Sequence, residues 1–261
     1  TIAGNAGQVI TVGAGGLTLA GGLAGTDNFA SIEQDGASGI QTITVNAGGA
    51  LNLTGGGGTG TFASLENFGT GAQTITFSAA GSTLNMQGGS GVFQNFTEIG
   101  ADTQVIRFLA GGAINVTGGS IGTDNDAGIV AGIGQTISGN PDITLTGGAS
   151  GGAANVGNSA EIVLFGGSTS GVQSISAHNL TLIGGAGGVE NFATIAASFG
   201  QAQIINATGS VTLTGGSGVD SGAALGSPGA VTWGGFNAVN LTLNATGPIL
   251  LTAGSGARGA D

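Results

Sequence analysis

The sequence predicts an all-β protein, a parallel β-helix (β-solenoid) of about eight coils of about 31 residues each. Three observations carry this: a recurring strand motif, period-two alternation inside it, and Gly-Gly pairs between strands. The motif Gln-x-Ile-x-x starts at Gln8, Gln41, Gln73, Gln104, Gln135, Gln173 and Gln203, at spacings of 33, 32, 31, 31, 38 and 30 residues. Self-similarity at such a period marks stacked supersecondary units, each unable to bury its apolar face alone. With 59 glycines a helical solenoid is excluded. Collagen is excluded because glycine does not recur at every third position and proline occurs only 3 times.

Within a glutamine strand, Gln41, Ile43 and Val45 share one face and Thr42 and Thr44 the other, since successive side chains point to opposite sides. The apolar face goes inward. Seven to eleven residues later comes a second strand: Leu17-Thr-Leu, Leu51-Asn-Leu, Leu84-Asn-Met, Ile114-Asn-Val, Ile143-Thr-Leu, Leu180-Thr-Leu and Val211-Thr-Leu. An eighth copy is expected at Leu241-Thr-Leu, without a glutamine strand before it. A looser third element carries Phe29 and Ile32, Phe62 and Leu65, Phe96 and Ile99, and Phe192 and Ile195. Parallel register places like over like, so the glutamines should form an inward amide ladder at a corner. The central outward position of the second strand should read Thr18, Asn52, Asn85, Asn115, Thr144, Thr181, Thr212 and Thr242, a polar and uncharged column.

One solenoid domain spans 1–261, with irregular insertions near 119–134, 148–172 and 216–235. The second holds an additional strand-like run, Glu161-Ile-Val-Leu-Phe165, and the third holds Pro228 and Trp233. Neither end resembles a cap, which would leave strand edges open.

Composition narrows function. Two basic residues, Arg107 and Arg258, against thirteen acids give a net charge of −11, which excludes phosphate neutralisation and therefore nucleic acid as a partner. No run approaches the ~18 apolar residues of a bilayer span, so membrane insertion of this segment is not expected. The absence of cysteine removes disulfides and thiol chemistry, and the single histidine, His178, removes a two-histidine metal site. Asp124-Asn125-Asp126 followed by Gly128 has the oxygen ligands of a calcium loop, and Gly215-Gly-Ser-Gly-Val-Asp220 matches one half-turn of the calcium-binding nonapeptide. A calcium roll needs tandem copies, and these acids read instead as solvated loop charges that keep rods apart. No catalytic, cofactor-binding or metal residue is assigned, and no cofactor is expected. A polysaccharide-degrading enzyme on this scaffold would require acids grouped within 119–134 or 148–172.

Three stretches carry a family resemblance: Gln173-Ser-Ile-Ser-Ala-His-Asn-Leu-Thr-Leu-Ile-Gly-Gly, Gly188-Val-Glu-Asn-Phe-Ala-Thr-Ile195 and Val211-Thr-Leu-Thr-Gly-Gly216. They resemble the repeat regions of filamentous-haemagglutinin-type large exoproteins of two-partner secretion and, next to them, autotransporter passengers. The resemblance covers nearly the whole chain and implies a right-handed β-helix displayed outside a bacterial cell. Neither secretion-domain motifs nor a run of membrane strands accompanies it. The expected function is a non-catalytic extracellular scaffold contributing to adhesion, matrix or biofilm. Its expected partner is a host or neighbouring-cell surface glycan or protein, or identical chains. The alternative is a filament subunit whose solenoid ends stack head to tail.

Overall fold

A computed structural model of the protein describes residues 1–166, 170–198, 200–226 and 239–256. Among the described residues every regular element is a strand, and every strand pairing is parallel. The strands form three columns of eight in two sheets, one of 14 strands and one of 8. The chain is thus a β-solenoid of about seven turns. In chain order one coil holds a phenylalanine strand such as Ala63–Asn67, a glutamine strand such as Gln73–Phe77, and a leucine strand such as Thr83–Gln87. The first two columns share the larger sheet; in Thr97–Phe108 and Ala127–Ser138 they fuse into 12-residue strands that cross the corner between them.

The core follows from the alternation. Ile43, Ile75, Ile106, Ile137, Ile175 and Ile205 lie in one fully buried file, and Leu51, Leu84, Ile114, Ile143, Leu180 and Val211 face them from the other sheet. Phe77 and Phe108 stack inside, ring centroids 4.3 Å apart. Each inward aliphatic is worth about 1.5 to 3 kcal/mol on burial, but only when the next coil covers it.

The glutamine ladder forms at the expected corner. Each Nε2 donates to the Oε1 of the coil before it: Gln41 to Gln8 at 2.8 Å, Gln73 to Gln41 at 2.7 Å, Gln104 to Gln73 at 2.9 Å, and Gln135 to Gln104 at 3.1 Å. Gln173 and Gln203 continue it at 2.7 and 2.5 Å. The second Nε2 proton goes to a phenylalanine-strand carbonyl, Leu65, Ile99, Ile129 or Ile195, at 3.1 Å in each case. Both protons of a buried amide are thereby satisfied, which makes full burial of glutamine tolerable.

A second ladder was not anticipated from the sequence. Thr61, Asn95, Asn125, Asn158, Asn191 and Ser221 are buried at the turn before each phenylalanine strand. The backbone N–H of Thr61 donates to Asn95 Oδ1 at 3.1 Å, that of Asn95 to Asn125 at 2.7 Å, that of Asn125 to Asn158 at 3.0 Å, and that of Asn158 to Asn191 at 2.7 Å. The glycine after the leucine strand sits against this turn. A Cβ on Gly88 or Gly118 would lie 2.0 or 2.1 Å from the Asn125 or Asn158 carbonyl oxygen, which is why glycine closes the second strand.

Two sequence assignments are corrected. Leu241-Thr-Leu is the eighth glutamine-column strand, Asn240–Ala245, with Leu241 opposite Gln203. The eighth leucine strand is Ile249–Thr252, and Leu250, in place of Thr242, follows Thr212 in the outward column. Both strands read Leu/Ile-x-Leu, and only register separates them. Likewise Glu161-Ile-Val-Leu belongs to Ala160–Leu164, a regular phenylalanine strand between Ala127–Ser138 and Ala193–Ala197, and no additional element is needed.

Within 119–134 the Asn125 turn is like the others, and the irregularity is a register shift where Ala101 and Thr103 oppose Ala131 and Gly134. Residues 167–169, and in the third stretch 227–238 with Pro228 and Trp233, lie outside the described residues, as does Arg258.

Replacing Gln104 by leucine leaves Gln73 Oε1 without its donor and Gln135 Nε2 without its acceptor. A loss of about 2 to 4 kcal/mol is expected in chemical denaturation, because two buried groups are orphaned. Gln203→Leu breaks one ladder bond instead of two, that to Gln173 Oε1, and its cost should be about half.

Candidate functional site

Register also sets what the outer face of the phenylalanine strands presents. Read coil by coil, its first position is Phe29, Phe62, Phe96, Asp126, Ser159 and Phe192, fixed by the backbone bonds from Ala30 to Phe62, Ala63 to Phe96, Thr97 to Asp126, Ala127 to Ser159 and Ala160 to Phe192. Two residues on, the file is Ser31, Ser64, Glu98, Gly128, Glu161 and Thr194. Two further on, it is Glu33, Glu66, Gly100, Val130, Val163 and Ala196.

The first three phenyl rings stack in register, with centroids 4.8 and 4.6 Å apart and interplanar angles of 2° and 6°. The stack breaks after Phe96, where Asp126 and Ser159 take the next two places before Phe192 resumes it. In the break lies a cleft of about 240 Å³ lined by Phe96, Glu98, Asp124, Asp126, Gly128 and Glu161. Gly128 gives it depth: a Cβ there would approach Glu161 Oε1 at 3.3 Å. A smaller cavity of about 40 Å³ adjoins through Asp124 and Asp126, bounded by Asn155, Ser159, Glu190 and Phe192.

The carboxyls are held differently. Asp126 accepts from the Ser159 backbone N–H, and buried Glu190 accepts from that of Asn155 at 2.5 Å. Glu161 is only 9 % exposed and accepts no hydrogen bond from the described residues. Thr194, its successor in the file, is buried with Oγ1 unpartnered. Burial raises the proton affinity of Glu161 well above the usual carboxylate range, and Asp126, Glu98 and Asp124 add like-charge repulsion. Asp126 is raised by burial against its Ser159 bond, and Glu98 by burial. Glu66 is pushed to about 7 by burial and then by Glu98. Arg107 stands on the Glu98 strand but beyond the Gln104 corner, and exposed His178 meets Thr208 Oγ1 at 3.2 Å in a different turn. Neither base compensates the cleft.

The polysaccharide-degrading alternative requires acids grouped within 119–134 or 148–172. Register brings Asp124, Asp126 and Glu161 together and adds Glu66, Glu98 and Glu190, which have no local signature; writing the repeats in strand register would have revealed them. The residues of the calcium-loop pattern fall in two settings. Asn125 is committed to the turn ladder through both its Oδ1 and Nδ2, and Gly128 lies in a strand. Among the described residues no group of three or more His, Asp or Glu is placed to hold a metal ion. Asp220 sits in a separate turn with φ 51°. No family model, curated protein or solved structure matches the chain.

Raised carboxyls fix the sign of the pH dependence. Below pH 4.5 folded and unfolded chains are both protonated; as pH rises toward 7 the unfolded chain releases protons that the folded one retains, so stability is lost over that window. Denaturation midpoints should therefore fall between pH 4.5 and 7.5. Glu66→Gln should recover about 2 kcal/mol at pH 8 and nothing at pH 4, a full shift to about 7 being worth about 3 kcal/mol before allowing for solvent at its outer edge.

Proposed function

We propose that the chain is a non-catalytic extracellular scaffold, a length of rod on a bacterial surface contributing to adhesion, matrix or biofilm. The observation that carries this reading is the uninterrupted stacking of all three columns through eight strands each. Such a structure sets distance. Its flanks suit prolonged exposure: the outward leucine-strand column is polar and uncharged from Thr18 to Thr212, with Asn85 donating to Asn52 and Asn115 to Asn85 at 2.9 Å. Among the described residues every internal strand is paired on both sides, leaving no free edge along the rod. The resemblance of its repeats to large exoproteins supports placement outside the cell, with a surface glycan or protein as the partner.

A second reading is favoured by the terminal strands. Ile249, Leu250 and Leu251 are 50, 55 and 67 % exposed, and Ile2 at the opposite edge is 57 % exposed. Edges of this kind are covered in a working rod by further coils of the same polypeptide or by a second copy, and the second occupant makes the chain a head-to-tail filament subunit.

Electron microscopy of the purified chain separates the two. Seven stacking steps at about 4.8 Å give discrete rods about 34 Å long for the scaffold, whereas concentration-dependent fibres suppressed by Leu251→Lys support the filament. Labelling of intact producing cells should decorate their surface; label confined to the interior would rule out both.

A further inference from the structure

The break in the phenyl stack combines features that the scaffold reading does not use. Phe96 is the last ring of a register stack, so the face that would meet a fourth ring is turned toward Asp126 instead. Phe192 resumes the file three steps later, about 14 Å along the axis. Between these rings stand Glu98, Asp126 and Glu161, with Asp124 and Glu190 at the margin, and among the described residues no cationic side chain. Two buried polar residues that line it lack side-chain partners among the described residues: Glu161, its carboxyl beside the space over Gly128, and Thr97, through its Oγ1. Unpaired carboxyls crowded in a half-buried cleft are costly unless protons or a cation neutralise them.

We propose that this cleft is a binding site for a primary alkylammonium group, seated between the carboxyls of Asp126 and Glu161 and against the face of Phe96. The fit is chemical. An ammonium offers three donors to carboxylates that have few, its alkyl stem packs on phenyl, and its charge interacts with the ring face. The volume of about 240 Å³ exceeds what a bare ion needs, and the carboxyls do not converge as metal ligands do. An extended peptide gains no backbone bonds on this flank because each strand there is already paired on both sides. Recognition is therefore by side chains alone, which suits a free polyamine or a single lysine side chain. The site stands independently of whether the rod is a scaffold or a filament.

The test is isothermal titration of the full chain with spermidine and, separately, with N-acetyl-lysine amide, at pH 7.5 in physiological salt. Saturable one-to-one binding is expected, weakened at least about tenfold by Asp126→Asn or Glu161→Gln and again at pH 5, where the carboxyls hold their protons. Exposed Asp35 lies away from the cleft, and Asp35→Asn, which removes the same charge, should change affinity less than about twofold. Both neutral isosteres relieve like-charge burial, so thermal midpoints at pH 8 equal to or above the parent's verify folding. Binding of spermidine alone identifies a free polyamine as the ligand; binding of both probes identifies a partner's lysine. The proposal is overturned by absent or unsaturable binding, by equal loss in Asp35→Asn, by equal affinity for N-acetyl-norleucine amide, or by displacement with equimolar calcium.

Discussion

Everything in this fold depends on the constraint that each residue must be compatible with a copy of its own type one strand spacing away. Aliphatic groups meet it by packing and amides by bonding to one another, which is why buried positions are rich in isoleucine, leucine, alanine, glutamine and asparagine. The Gln8-to-Gln203 and Thr61-to-Ser221 ladders are two solutions to the same problem, one through side-chain amides and the other through side-chain oxygen and backbone N–H. Charges cannot obey the constraint, since like charges stacked at this distance repel. The chain's 6 % charged content is the compositional trace of that rule.

The acidic cleft is where the rule is broken. Glu33 and Glu66 stand on adjacent coils, and Glu98 and Glu161 are separated only by Gly128. The phenyl stack is interrupted on the coils between Phe96 and Phe192, and Gly128 supplies room where a side chain would fill the face. Departures from a repeat that would otherwise continue concentrate at one place on one flank. Among the exposed aliphatic, phenyl and neutral polar side chains of the remaining surface, that place has distinct chemistry.

The architecture was legible because Gln-x-Ile-x-x recurs without ambiguity and alternation assigns each face. What failed was identity between strands of similar composition. Leu241-Thr-Leu and Leu180-Thr-Leu look alike, yet the former occupies the glutamine column, because column membership is set by what lies one coil earlier. The phenylalanine column was recognised in only four copies, since Asp126 and Ser159 replace its aromatic signal. The asparagine ladder left a trace in Asn28-Phe29, Asn95-Phe96 and Asn191-Phe192, but Thr61 and Ser221 obscured it. The cleft was half legible for the same reason: its acids are remote in sequence and adjacent only across coils.

The glutamine ladder has a direction. In all six of its bonds the later coil donates and the earlier coil accepts, so a partly assembled rod always displays a bare acceptor at its growing face and never a bare side-chain donor. Each following coil, on the carboxy-terminal side, finds the acceptor for its glutamine already in place, and that order is the one in which a ribosome releases the chain. The polarity of the ladder thus runs parallel to the direction of synthesis, from Gln8 toward Gln203. Leu241 ends the template by placing an isobutyl group over Gln203 Oε1, the one ladder acceptor left without a donor.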